Sequence, residues 1–274
     1  MGWKSWLALP LARWAVRRAE HRMRNPVEAQ AKVFRDLLAA GSGTAFGREH
    51  GMRPDWTVED FRGAVPVRDY EALRPWMERA VGGEGDVVWP GKPLYFCKTS
   101  GTTSGAKYIP LTRESLPNHI GTARQALLSY VADTGRTSFV DGKMIFLQGS
   151  PVLSETRGGI PLGRLSGIVA HHVPAYLQRN RLPSFGVNAM EDWEEKVEAI
   201  VRETAGQDLR LISGIPSWVQ MYFERLLAYT GKQTVKEVFP HFSLFVYGGV
   251  SFAPYRDRFM QLIGGEVDVV ELYP

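Results

Sequence analysis

Apolar positions in this chain recur in two rhythms, one of helical and one of strand spacing, that alternate along most of its length. Asn25-Pro26-Val27-Glu28 offers a cap, a first-turn proline and an acid at the third helical position, and Ala31, Phe34, Leu37 and Leu38 follow at helical spacing until Gly41 stops the run. Between Gly41 and Gly91 the pattern is short and broken, with Phe61, Val65 and Val67 leading into a predicted helix around Tyr70 to Ala80. Pro93 to Cys97 reads as a strand, Glu114 to Ala132 as a helix and Met144 to Leu147 as a buried strand. From Ser150 to Pro183 glycine and proline abound without periodicity, which predicts long loops. Helical spacing returns at Trp193, Val197, Ile200 and Val201. Leu209 to Ile212 is a strand, and Pro216 opens a helix carrying Val219, Tyr222, Phe223, Leu226 and Leu227. Leu244 to Val246 and Val267 to Val270 are short apolar runs separated by a glycine pair and a helix-like segment. The alternation predicts an α/β fold with a largely parallel or mixed sheet and ligands at the strand ends.

Composition narrows the class. With 44% hydrophobic and 23% charged residues over 274 positions, the chain is of ordinary globular type, and its length builds a core without a metal or disulfide staple. Cys97 is the only cysteine, so no internal bridge forms and no zinc-site spacing exists, which favours a reducing, cytoplasmic setting. The net charge of +4 is concentrated at the start, where Lys4, Arg13, Arg17, Arg18, Arg22 and Arg24 face only Glu20. A nearly neutral remainder argues against a nucleic-acid partner. Residues 1–24 are read as a basic amphipathic helix and 25–274 as one large lobe. Trp3, Trp6, Leu7, Leu11 and Trp14 are the expected apolar face of that helix, suited to docking on the protein, which is favoured, or to weak contact with an anionic membrane surface. Trp6 to Ala12 is too short for a signal peptide and is interrupted by Pro10, and no run reaches membrane-spanning length.

The most informative segment is Lys98-Thr99-Ser100-Gly101-Thr102-Thr103-Ser104-Gly105-Ala106-Lys107, followed by Tyr108-Ile109-Pro110. Glycines let backbone N–H groups converge on an anion, hydroxyls donate further hydrogen bonds and a lysine brings positive charge, a combination suited to phosphate. A polar hairpin turn would have the same composition. The nucleotide-binding P-loop is excluded, because three residues rather than four separate the glycines and Ala106 precedes Lys107. Ser104-Gly105-Ala106-Lys107 has the letters of a Ser-x-x-Lys nucleophile. Gly105 and the run after it favour a turn into a strand rather than the helix start that chemistry needs.

Thr99 to Lys107 resembles the phosphate-binding motif of adenylate-forming enzymes. Val65-Pro66-Val67 with Tyr70, Ser213-Gly214-Ile215-Pro216-Ser217-Trp218, Val246-Tyr247-Gly248-Gly249 and Glu271-Leu272-Tyr273-Pro274 are similar, in the same order, to the auxin-responsive promoter family of acyl-acid-amido synthetases, most of all its bacterial members. The resemblance runs from about Asn25 to Pro274 and implies the large N-terminal lobe of an adenylate-forming enzyme. It implies ATP and Mg2+ as cofactors, a small-molecule carboxylic acid and an amine or amino acid as partners, and a monomer. It assigns the ATP phosphates to Thr99, Ser100, Gly101, Thr102, Thr103, Ser104, Gly105 and Lys107, and adenine to Gly248, Gly249 and Tyr273. Trp218 and Val219 are assigned to the acyl pocket. Helical spacing, apart from the resemblance, sets Arg124 at the border of the face of Ile120, Ala123, Leu127 and Val131, which suits contact with the acid or a phosphate and suits a snorkelling surface arginine at least as well. The family pattern continues past Pro274 with a small residue and Ser-Glu-Gly, whose glutamate helps hold Mg2+, and then with a mobile domain that supplies a catalytic lysine. The expectation is therefore a truncated lobe with catalytic residues beyond 274, weak nucleotide binding and little turnover alone. A non-catalytic nucleotide-binding or scaffolding protein of the same fold is the alternative. His171 and His172 are left without a role.

Overall fold

A computed structural model describes residues 3–99, 106–173 and 178–272. The strands among them are β1 (Tyr95–Lys98), β2 (Tyr108–Leu111), β3 (Lys143–Phe146), β4 (Ser154–Glu155), β5 (Pro161–Gly163), β6 (Arg181–Leu182), β7 (Leu209–Ser213), β8 (Leu244–Gly248) and β9 (Asp268–Leu272). The chain divides into two compact units. The smaller comprises Ala19–Asn118 and Val152–Ile168; the larger comprises the chain as far as Arg18, His119–Pro151 and everything from Val169 onward.

The smaller unit holds a four-stranded mixed sheet in the order β2-β1-β5-β4, with β1 antiparallel to β2 and parallel to β5. Beside it the helix Tyr70–Val81 begins where the Asp69 carboxylate accepts the Ala72 N–H, and it buries Met77, Ala80 and Val81. Ala80 and Val81 join Val87, Phe96 and Ile160 in the core. Here the expected loop region from 150 to 183 is more ordered than its composition implies. It contributes β4, β5, the helix Leu165–His171 and β6. Strands of two or three residues are too short to display a periodicity, and the turn between β4 and β5 needs glycine for close backbone approach: a Cβ on Gly158 would lie 2.3 Å from the Gly83 nitrogen.

The larger unit holds a five-stranded sheet in the order β6-β3-β7-β8-β9, parallel throughout. Successive residues point to opposite faces, so the strands are apolar on both, as a doubly covered parallel sheet requires. Ile145, Ile212 and Phe245 pack on one face with Val201, Val219, Tyr222, Phe223 and Phe259 from the helices Trp193–Thr204, Pro216–Thr230 and Arg256–Ile263. Met144, Leu211, Leu244 and Val246 pack on the other with Val131, Phe139 and Ala12.

Ala12 belongs to the first helix, Trp3–Arg24, which does dock on the body but not through the expected side. Ala12 and Ser5 are buried, and the Ser5 hydroxyl lies 3.1 Å from the Thr137 carbonyl oxygen and 2.6 Å from Asp141 Oδ2. Trp6, Leu7, Leu11 and Trp14 are 71%, 46%, 55% and 60% exposed. Helical geometry decides this: Ser5, Leu9, Ala12 and Val16 form one stripe, and a helix seated on that stripe, with Leu9 packed on the same core as Ala12, must turn Leu7, Leu11 and Trp14 outward.

Candidate functional site

In the larger unit the order of the strands singles out one place. The chain leaves β3 towards β6 on one side and leaves β7 towards β8 on the other, so the C-terminal ends of these adjacent strands bound the crevice where open parallel sheets bind ligands. Packing there is tight. The Leu147 N–H donates to the Ser213 carbonyl at 2.8 Å and the Gly214 N–H to the Val246 carbonyl at 3.0 Å. A Cβ on Gly214 would meet Leu147 Cβ at 3.0 Å and Val219 Cγ2 at 3.1 Å, so a larger residue would wedge the strand end from the helix that follows.

That helix starts at Pro216 and carries Trp218 and Val219. Val219 is fully buried and Trp218 half-buried. The Trp218 ring lies against Trp193, with centroids 4.4 Å apart, and Trp193 Nε1 donates to Met221 Sδ at 3.0 Å. One residue beyond Leu147, the Gln148 carbonyl accepts from the ammonium of Lys196 at 3.1 Å, and the Asn188 carbonyl accepts from it at 2.6 Å. Lys196 is only 2% exposed. Two buried atoms of these partner residues, Gln148 Nε2 and Asn188 Oδ1, have no hydrogen-bond partner among the described residues.

At the next strand end Gly248 and Leu272 are in register, as are Tyr247 and Glu271. The Tyr247 hydroxyl lies 3.0 Å from Glu271 Oε2, and burial and this carboxylate hold the phenol above its ordinary pKa. A Cβ on Gly248 would sit 2.3 Å from the Leu272 carbonyl oxygen, whereas Gly249 faces open space at φ +85°. Two glycines adjacent in sequence are thus needed for different reasons, one for strand approach and one for a left-handed turn. Arg124 is exposed, as is Ala123 beside it, so the expected apolar face of the helix Leu116–Thr134 is narrower than its spacing implied.

In the smaller unit the antiparallel strands β1 and β2 flank the hydroxyl-rich segment. Its stem is closed by the Thr99 N–H donating to the Lys107 carbonyl at 3.0 Å. Tyr70, at the start of its helix, pins the same stem: its hydroxyl oxygen accepts the Tyr108 N–H at 2.8 Å, and its ring lies 5.6 Å from the Lys107 ammonium. Thr99 is exposed and Lys107 half-buried. Ser100, Gly101, Thr102, Thr103, Ser104 and Gly105 lie outside the described residues, as does Tyr273. Cys97, on β1, is buried, and burial pushes its thiol pKa up to about 11. His171 Nε2 lies 2.8 Å from the Pro151 carbonyl oxygen, a bond that holds a loop.

Comparison with known proteins identifies the family. Residues 15–184, more than half of the chain, match the model described as "GH3 family N-terminal domain". The chain belongs to the GH3 family.

GH3 relatives include the probable indole-3-acetic acid-amido synthetase GH3.1 of Oryza sativa subsp. japonica, 29% identical over 145 residues, which are 52% of this chain and 23% of that protein. Indole-3-acetic acid-amido synthetase GH3.3 of Arabidopsis thaliana is 28% identical over 149 residues, covering 54% of this chain and 25% of that one. Among solved structures, the acyl acid amido synthetase AtGH3.15 in complex with 2,4-DB aligns over 89% of this chain and 51% of its own, with a TM-score of 0.69 at 15% identity. An open conformation of 2-hydroxyisobutyryl-CoA ligase in complex with 2-HIB-AMP and CoA aligns over 88% and 52%, with a TM-score of 0.53 at 16% identity. The structural likenesses show the fold, the α/β architecture with mixed and parallel sheets that the sequence led us to expect. The matched stretches span about a quarter of the curated relatives and about half of the solved ones.

Sequence reasoning missed Tyr70 as the clamp of the hairpin, Trp193 as the partner of Trp218, and the buried Lys196. Tyr70 was visible as a motif letter. The other two are residues of a helix whose partners come from distant strands and helices, and spacing along one helix carries no trace of them.

Proposed function

We propose that this GH3 chain binds ATP and a small carboxylic acid and serves the adenylation half of an ATP-dependent acid-amido ligase. The observation that carries the reading is the double glycine at the end of β8, with Gly248 pressed against Leu272 and Gly249 in a left-handed turn, beside the Trp218–Val219 helix start. Gly249, where a side chain would meet nothing, leaves backbone surface open to a flat ring. The unpartnered Gln148 amide, one residue beyond the tight Leu147–Gly214 contact, supports a polar ligand at the same strand ends.

In this reading Thr99, Ser100, Gly101, Thr102, Thr103, Ser104, Gly105 and Lys107 hold the phosphates, Gly248, Gly249 and Tyr273 the adenine, and Trp218 and Val219 the acyl group. Arg124 is the cation assigned to the acid or a phosphate. An acid oxygen attacks the α-phosphorus, the bond to the β-phosphate oxygen breaks and pyrophosphate leaves. An amine nitrogen then attacks the acyl carbon, AMP leaves and the amine gives up a proton. The hydroxyl-rich segment would contribute donors for charge gathering on phosphate oxygens. Magnesium supplies further charge neutralisation when bound; among the described residues no three His, Cys, Asp or Glu side chains converge to hold it.

The test is carboxylate-dependent ATP–pyrophosphate exchange over a panel of acids, run on the product of the gene read to its natural stop codon, with nucleotide binding measured in parallel and Lys107→Ala as control. Exchange that disappears in the control is the expected result. Nucleotide binding without exchange for any acid would instead favour a non-catalytic nucleotide-binding protein, and no nucleotide binding at all would refute the reading.

A further inference from the structure

The first helix shows an arrangement that the adenylation reading does not use. Its residues fall into three stripes. Ser5, Leu9, Ala12 and Val16 face the body of the larger unit, where Ser5 and Ala12 are buried. Leu7, Leu11, Trp14 and Arg18 form a second stripe, and Trp6, Pro10, Arg13 and Arg17 the third, all of them exposed. The helix is thus anchored by Ser5, Leu9 and Ala12 and turns Trp6, Leu7, Leu11 and Trp14 to solvent. Apolar burial normally drives the opposite choice. The outward face also carries the positive charge of the molecule: Arg13, Arg17 and Arg18 are interleaved with the indoles, Arg22 and Arg24 follow on the same helix, and the only acid is Glu20. The Arg18 guanidinium lies 5.8 Å from the Trp14 ring centre.

We infer that this face is a docking surface for an anionic phospholipid membrane. Interleaving decides between occupants. A groove on another protein that accepted Trp6, Leu11 and Trp14 would have to desolvate the arginines among them, or match each with a carboxylate. At a bilayer surface both needs are met at one depth: indoles settle at the headgroup level, leucines reach the acyl boundary and guanidinium groups pair with phosphate oxygens. A second copy of this chain would bring like charge against like charge. No helix among the described residues is long and apolar enough to cross a membrane, so the helix lies along the surface.

The test is co-sedimentation of the 274-residue chain with vesicles of phosphatidylcholine alone and of three parts phosphatidylcholine to one part phosphatidylserine, at low and high salt. Binding to the phosphatidylserine vesicles, weakened by salt and by omission of the anionic lipid, is expected. The double variant Arg17→Gln/Arg18→Gln should lower the partition coefficient about 25-fold, at about fivefold per arginine. Trp14→Ala should lower it about tenfold. All three side chains are exposed, and an unchanged thermal midpoint verifies folding. Equal binding to both vesicle types, unaltered partition in the double variant, or no binding would overturn the inference. Self-association abolished by Trp14→Ala, without vesicle binding, would overturn it in favour of a second copy.

Discussion

Gly248→Ala tests the reading of the β8–β9 edge most directly. The new Cβ would stand 2.3 Å from the Leu272 carbonyl oxygen, against the 3.4 Å at which ordinary contact begins, so the two strands must part by about 1 Å. The obstacle is backbone, so no side chain can rotate away. Relief is available only by moving β9, which is bonded to the sheet along one edge. Overpacking of this kind costs about 1 to 3 kcal/mol, and a backbone obstacle puts this case at about 2 to 3. At about 2 to 4 °C per kcal/mol for a protein of this size, the thermal midpoint should fall by about 5 to 10 °C. Gly249→Ala is the matched control. Its Cβ meets nothing, but the residue is held at φ +85°, a conformation that costs an L residue about 1 kcal/mol. Circular dichroism melts should therefore rank the two variants with Gly248→Ala clearly the worse, and hydrogen exchange should show β9 amides exposed first in that variant. A Gly248→Ala protein within 1 or 2 °C of the parent, or no worse than Gly249→Ala, would refute the close-approach argument.

Three other outcomes are expected. Tyr70→Phe keeps the ring near Lys107 but removes the acceptor of the Tyr108 N–H, so the hairpin stem should weaken by about 1 kcal/mol, seen as about fivefold faster amide exchange at Tyr108. Lys196→Met takes a charged donor from the Gln148 and Asn188 carbonyls; relief of the buried ammonium offsets part of the loss, leaving about 2 kcal/mol of destabilisation in a denaturant titration. The Arg210 side chain, with His241 adding to it, holds the Asp208 carboxyl below its ordinary value. Its contribution to stability is present above the unfolded-state pKa of about 4 and is lost as pH falls through the lower folded value. Parent and Asp208→Asn melts should accordingly differ at neutral pH and converge in acid, and a gap that persists below both values would contradict this.

Sequence reading succeeded where one element buries a wide, regular face. The helix with Trp193, Val197, Ile200 and Val201 and the helix opened by Pro216 are present with nearly the expected ends, because their apolar positions all meet one sheet. The strands around Leu209, Leu244 and Val267 were legible as apolar runs because a parallel sheet is covered on both faces. The stretch from Ser150 to Pro183 was not, since β4, β5 and β6 draw their stability from partners such as Phe96 and Met144 rather than from any pattern of their own. The first helix failed differently. Its apolar stripe was visible, but the assumption that the most apolar side faces inward is a rule about burial, and Ser5, Leu9 and Ala12 seat the helix instead. At the candidate site, the hydroxyl-rich segment and the glycine pair stand out in the sequence itself, whereas the Gly248–Leu272 contact and the Lys196 bonds depend on residues far apart in sequence.

The bond from Ser5 to the Thr137 carbonyl joins residues 132 positions apart, and this has a consequence for synthesis on the ribosome. At about 5 to 20 residues per second, roughly 7 to 26 seconds separate the making of the two partners. The inward stripe of the first helix has no seat during that interval, and completion of the larger unit waits still longer, for β9. Throughout this time the tryptophans and arginines of that helix are already made, so a surface that captures the helix can meet it before the rest of this fold exists.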